Sequence, residues 1–228
     1  LFGELIGRQS RKTRYNPKPK VPPTGWSKPT FPDLSRATYI MPDVETWDPD
    51  IEDYGPGFAR GKGHIVGIAI GADDDYRAYY PMRHTEEAHD NFEPEHVLRY
   101  VAEQLGRKSQ PKINHNLFYD LGWLKEEGVE VAGDLICTQS AETLIGHSVS
   151  GHSLESLGLK YVGQGKTSHD LLLWLHQYYG TGEPTEAALK KQRSNIHRTP
   201  PRLCAQYGEG DVDLPYWVWG AQYPQLER

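Results

Sequence analysis

The chain has 228 residues, room for one large domain, and a net charge of −6 with 37% hydrophobic and 25% charged residues. No apolar run approaches the roughly 20 residues of a membrane span, the longest being residues 171–175, and Leu1-Phe2-Gly3-Glu4 shows neither an initiator Met nor a signal-peptide pattern. The chain is therefore expected to be a piece of a longer protein. Two distant cysteines, Cys137 and Cys204, with no Cys-x-x-Cys, exclude a cysteine-built zinc site and fit free thiols in a reducing compartment.

Residues 1–36 carry eight Lys/Arg against two acids, while the remainder is acidic. Such a body repels nucleic acid unless cations cover its carboxylates. Six prolines (Pro17, Pro19, Pro22, Pro23, Pro29, Pro32) make residues 1–35 read as an extended basic arm. The arm is either a solvated linker or a segment that touches phosphates. The folded domain is expected to span residues 36–228.

Within it, residues 37–46 alternate loosely and predict a strand that ends in Asp43 and Glu45. The glycine-rich 55–63 predicts a loop. Residues 64–72 are β-branched and predict a buried strand, Asp73-Asp74-Asp75 a turn, and 76–82 a third strand completing a meander. Val97, Leu98, Val101 and Leu105 mark one face of a helix after Pro94. A short strand over 112–115 precedes a helix over 117–127, and 134–145 predicts a helix opening on a capping Asp134. Residues 153–161, 168–179 and 185–197 predict further helices. A closing helix covers 202–222, and Pro215 is expected to kink it or end it. This order predicts an α/β layer fold with a mixed sheet, and there is no internal repeat.

Three segments carry the chemistry. Asp43-Val44-Glu45-Thr46 places two carboxylates on one strand face, where they repel each other unless a cation lies between them. An isolated Asp-x-Glu also fits a solvated turn. Asn116 and Asp120, four apart in Asn116-Leu117-Phe118-Tyr119-Asp120, share a helix face among apolar neighbours, as a local cap or as a ligand. Tyr207 and Asp211 repeat that spacing, as site residues or as a surface tyrosine stacked beside an acid; Glu209 and Asp213 nearby read as solvated, with Glu209 also a weak ligand candidate. Gly57-Phe58-Ala59-Arg60-Gly61-Lys62 and Gly165-Lys166-Thr167 both fail as phosphate-binding P-loops. Arg60 and Lys62 are left either free in solvent or against phosphates. His115 reads as a structural hydrogen-bonding residue at the strand end.

Taken in order, these segments resemble the DEDDy 3′–5′ exonucleases: Asp-x-Glu-Thr, then His115-Asn116-Leu117-Phe118-Tyr119-Asp120, then Tyr207-x-x-x-Asp211. The likeness is greatest to the proofreading domain of family A DNA polymerases, especially phage ones, and extends to His152-Ser153-Leu154-Glu155-Ser156-Leu157-Gly158. Pro42 departs from the apolar residue usual before the first Asp and puts the local strand pairing in question.

The resemblance implies a ribonuclease H-like mixed β-sheet flanked by helices, and two Mg²⁺ or Mn²⁺ ions. One ion would be held by Asp43, Glu45 and Asp211, the second by Asp43 and, through water, Asp120. Tyr207 would orient the attacking water, and Thr46 and Asn116 would contact the terminal nucleotide, with a strand-end backbone hydrogen bond the other reading of Thr46. Trp47, Phe118 and Tyr119 read as rings for base stacking or as core packing. The substrate would be the 3′ end of single-stranded or mispaired DNA, released as nucleoside 5′-monophosphates. A covalently linked polymerase domain, no membrane, and the cytoplasm of a bacterial or phage-infected cell would complete the setting. Ribonuclease D-like RNA trimming and a catalytically silent nucleic-acid-binding module of the same fold remain the alternatives.

Overall fold

Strand β1 (Ile40–Trp47) runs through the middle of the sheet because both of its faces are apolar over its first half. Ile40 and Val44 face one core and Met41 the other. The computed structural model describes residues 26–146, 151–166 and 168–226. Strands β2 (His64–Ala72), β3 (Tyr76–Pro81), β4 (Lys112–Asn114) and β5 (Leu135–Cys137) complete one sheet in the order β3-β2-β1-β4-β5. The first three strands form the expected antiparallel meander, and β4 and β5 run parallel to β1, so the sheet is mixed. Asp73, left-handed at φ 48°, closes the β2–β3 turn. Its carboxylate accepts from the amides of Thr38 and Tyr39 at 2.8 and 2.9 Å, which ties the turn to the start of β1.

Helices α1 (Pro94–Leu105) and α2 (Leu117–Glu126) cover one face. Val97, Val101, Leu105, Trp123 and Leu124 pack there with Ile40, Ile65, Ile68 and Ile70. After α3 (Thr138–Gly146), α4 (Leu154–Tyr161), α5 (Ser168–Tyr179) and α6 (Glu186–Lys190), the closing helix α7 (Pro201–Leu226) crosses β1, β2 and β3 on the opposite face.

Four expectations are corrected. Residues 135–137 do not open a helix; they pair with β4 from Lys112↔Leu135 to Asn114↔Cys137, and α3 starts at Thr138. Three residues are too few to show a period of two. Residues 185–197 divide into α6 and a tighter 3-10 stretch, Lys191–Arg198. Pro215, expected to kink the closing helix or end it, does not end it: α7 continues through it to Leu226. The packing of Leu214 and Val218 against Leu154 and Leu157 of α4 offsets the lost amide donor.

Lastly, residues 26–35 belong to the folded body, not to the arm. Phe31 stacks on Tyr80 and His96, and buried Leu34 donates its amide to Gln104 Oε1 at 3.0 Å. The part of the expected arm over residues 1–25 lies outside the described residues. Among the described residues no helix is long and apolar enough to cross a membrane.

Candidate active site

The face of β1 that carries Met41 also carries positions 43 and 45, so Asp43 and Glu45 emerge together beneath α7. Two glycines let the helix lie close to the sheet. A Cβ at Gly208 would stand 3.1 Å from the Tyr79 ring and 3.2 Å from Ala69 Cβ, and one at Gly71 would stand 3.3 Å from Val212 of α7. That approach brings Asp211 to β1. Carboxylate oxygens of Asp43, Glu45 and Asp211 all lie within 4.8 Å of one another. Glu45 and Asp211 are buried and Asp43 is half-buried.

Burial and the neighbouring Asp211 charge raise the Asp43 carboxyl to about 7. Burial first, then Asp43, pushes Glu45 well above the usual carboxylate range. Asp211 Oδ1 is buried and has no hydrogen-bond partner among the described residues. A buried acceptor without a donor, inside a group of oxygen ligands, fits a hard divalent cation.

Asp120 reaches the same region from the first turn of α2, by a route that explains Pro42. Ile40 donates its amide to Pro111 at 3.1 Å, so the even positions of β1 face β4. Proline has no amide to continue that ladder, and β1 pairs with β4 at Ile40↔Lys112. The pairing of β1 with β2 continues undisturbed through Pro42↔Ile70. The next even amide, Val44, is taken by Asp120 Oδ1 at 2.9 Å. Asn114 Nδ2 holds the other oxygen at 2.9 Å. Asp120 is buried, and burial followed by the Asp43 charge raises its pKa well above normal.

The remaining predicted residues lie at the end of β1, at the start of α2 and on α7. A register shift between Glu45 and Thr46 bends the end of β1. Thr46 Oγ1 and Tyr119 OH lie 2.8 Å apart. The Trp47 ring packs between His64 and His197, at 5.2 and 5.8 Å between centroids. Asn116 is exposed and left-handed (φ 54°) at the start of α2, and Phe118 beside it is 78% exposed. Tyr207 is buried, one helical turn before Asp211. Burial, reinforced by the Asp211 charge, raises its phenol well above the usual value.

Glu209 lies outside the carboxylate trio, its charge felt by Tyr76. Asp213 is not simply solvated; Arg77 Nε donates to it at 2.8 Å. Arg60 folds back on Gly55 O at 3.3 Å. His115 is hydrogen-bonded to Thr138 Oγ1 at 3.0 Å, and burial lowers its pKa to about 4.

Sequence reasoning missed two residues. Asn114 fixes Asp120, and its only signal was a polar residue in a short strand. Lys166 donates to Asp211 Oδ2 and, at 3.3 Å, to Tyr207 OH, and its ammonium stands 5.0 Å from the centre of the Tyr207 ring. The sole hint at Lys166 was a Gly-Lys-Thr that fails as a P-loop.

Residues 50–220 match the family model described as the 3′–5′ exonuclease of DNA polymerase A. The chain belongs to that family. The matched span includes Asp120, Tyr207 and Asp211 and begins after Asp43 and Glu45, which the fold brings to the same place. Curated relatives of this exonuclease include the DNA polymerase DpoZ of Salmonella phage PMBT28, 28% identical over 199 residues, and a DNA-directed DNA polymerase of Pseudomonas phage M6, 29% identical over 205. Each alignment covers 87% of this chain but only 28% and 29% of the relative, so the chain spans less than a third of those polymerases. Among solved structures, Brucella melitensis NrnC bound to pGG is similar with a TM-score of 0.53 at 18% identity, covering 86% of this chain and 76% of NrnC. NrnC with bound Mg²⁺ gives the same score and identity. The fold is ribonuclease H-like.

Proposed function

We propose that this exonuclease domain hydrolyses the last phosphodiester of a single-stranded or frayed DNA 3′ end, using two divalent ions, as the proofreading part of a longer polymerase. The observation that carries the reading is the Asp43–Glu45–Asp211 cluster, two of its carboxylates buried and one half-buried, with an Asp211 oxygen that has no hydrogen-bond partner among the described residues. Asp43, Glu45 and Asp211 would hold one Mg²⁺ or Mn²⁺, and Asp43 with Asp120 the other. Bound ions supply Lewis-acid polarisation of the phosphate and a nucleophilic water at neutral pH.

The chain's own residues do the positioning. Asn114 and the Val44 amide fix both oxygens of Asp120, so that carboxylate is set before any ligand arrives. The Tyr207 phenol stays protonated across the physiological range, because burial and the adjacent carboxylates oppose its ionisation. Its hydroxyl therefore keeps a proton with which to orient the attacking water. Phe118 presents a bare ring on which the terminal base can stack without sequence preference. An unpaired end reaches the carboxylates at lower cost than a paired one, which accounts for selectivity without a mismatch-reading residue.

The test is degradation of 5′-labelled single strands, DNA beside RNA, in Mg²⁺, Mn²⁺ or EDTA, with Asp211→Ala as control. A metal-dependent ladder that shortens from the 3′ end of DNA, and is absent in the variant, is expected. Folded protein that binds Mn²⁺ yet leaves DNA intact would overturn the proposal, and preferential shortening of RNA would move it to RNA trimming.

A further inference from the structure

The acidic cluster must accept a substrate that is itself an anion. Charge on the phosphate grows as the water attacks, so a preorganised cation beside the reacting group is favourable. Lys166 is a cation built into this site. Its ammonium lies between the Asp211 carboxylate and the Tyr207 hydroxyl, and its side chain is only 17% exposed.

The loop that delivers Lys166 is shaped by several close contacts. Glu155 Oε2 accepts the Lys166 amide. A Cβ at Gly165 would stand 2.2 Å from Glu155 Oε1, so only glycine lets that carboxylate seat against the loop. The Gln164 amide donates to Gly158 O at 3.2 Å, and a Cβ at Gly158 would stand 2.4 Å from Gln164 O. Ser153 caps α4, with its hydroxyl accepting the Ser156 amide at 3.2 Å, and so sets the helix from which Glu155 and Gly158 project. The segment His152-Ser153-Leu154-Glu155-Ser156-Leu157-Gly158 thus aims Lys166 at the carboxylates.

We propose that Lys166 is a further substrate-contacting residue of the exonuclease, its ammonium meeting the non-bridging oxygens of the terminal phosphodiester, with Glu155 as its positioning residue. This rests on the exonuclease reading above. An ammonium suits this role because it is a compact point charge with three donors, so it can turn from Asp211 to a phosphate oxygen without moving the loop.

The experiment uses two 5′-fluorescein oligonucleotides, one with an ordinary last linkage and one whose last linkage is an uncharged methylphosphonate. Their affinities are read by anisotropy in Ca²⁺, with 3′ ends checked intact afterwards. Wild type is expected to prefer the charged linkage by about tenfold, the order of one charge-assisted contact. Lys166→Gln should lose that preference, Lys166→Arg should keep part of it, and Glu155→Ala, which removes the acceptor of the Lys166 amide, should reduce it. For Lys166→Gln the salt dependence of binding should flatten by about 0.7 in log–log slope, one phosphate contact on a single strand.

Melting curves establish which variants fold, and Glu155→Ala, altered at an exposed position, carries the test should Lys166→Gln fail to fold. An undiminished preference in a folded variant overturns the proposal. So does an equal loss for both oligonucleotides in Lys166→Gln, because the lysine then only supports the fold. Wild type that binds neither oligonucleotide would instead sink the exonuclease reading itself.

Discussion

Asp43→Asn should inactivate the enzyme and stabilise the metal-stripped protein. The Asp43 carboxyl is raised from 3.8 to about 7 by burial and by Asp211. A shift of about three units corresponds to ~4 kcal/mol at most. Asp43 keeps partial contact with water, and halving the figure for that screening leaves ~2 kcal/mol. Below about pH 3 the carboxyl is protonated in folded and unfolded chains alike, and the penalty is absent. As pH rises toward 7 the unfolded chain releases its proton first, so the folded state loses stability, and the loss is complete above 7.

The neutral amide removes this term. In EDTA at pH 8 the variant should melt ~4–8 °C above wild type, given ~2–4 °C per kcal/mol for a domain of this size. At about pH 3 the two should melt together. Mg²⁺ should raise the wild-type melting temperature by binding only the folded state, and raise the variant's less. Cleavage by the variant should fall by at least ~10³-fold, the loss of several kcal/mol of metal-derived stabilisation. Differential scanning fluorimetry across pH, with and without Mg²⁺, measures the stability effects. A variant that melts at or below wild type at pH 8 in EDTA would refute the electrostatic account of the cluster.

The other carboxylates and rings behave differently. Asp120→Ala should cost ~1–3 kcal/mol by urea denaturation as well as activity, because it strands the buried Val44 amide and Asn114 side chain. Gly57→Ala should destabilise by ~1–3 kcal/mol, since the added Cβ would stand 1.9 Å from Lys62 O and 2.8 Å from Asp48 Oδ1; an unchanged melting curve would contradict that packing. Tyr207→Phe should slow single-turnover cleavage by ~10²-fold while leaving Mn²⁺ affinity unchanged in calorimetry. Phe118→Ala should leave stability within ~0.5 kcal/mol and weaken single-strand binding by ~1 kcal/mol or more, measured by anisotropy; unaltered affinity would remove Phe118 from the DNA surface.

The carboxylates were legible because their spacing is local. Asp43 and Glu45 share a strand face, and Tyr207 and Asp211 a helix face, whatever surrounds them. The meander was legible for the same reason, with β2 a long β-branched run. Strand β5 was not, because its identity comes from pairing with β4 across more than twenty residues of chain. The consequence of Pro42 was half visible. A missing donor could be read from the residue type, but its effect on Asp120 needed the edge that faces β4. The place of residues 26–35 was hidden by their prolines, which announce extended backbone equally in a linker and in a segment laid over a core. Here Tyr80 and Tyr100 donate their hydroxyls to the Thr30 and Pro32 carbonyls and hold that segment down. Lys166 was overlooked because a lone basic residue in a loop has no periodicity to report.

Helix α7 supplies Asp211 from near one end of the folded sequence, and β1 supplies Asp43 and Glu45 from near the other. During synthesis at roughly 5–20 residues per second, the two halves of the cluster leave the ribosome many seconds apart. A nascent chain can pair β1 with β2 and β3 while its third carboxylate is still unmade. The carboxylate cluster is therefore timed by translation: it closes only when α7 docks on the sheet, so a chain interrupted before that helix carries the strands without the assembled cluster.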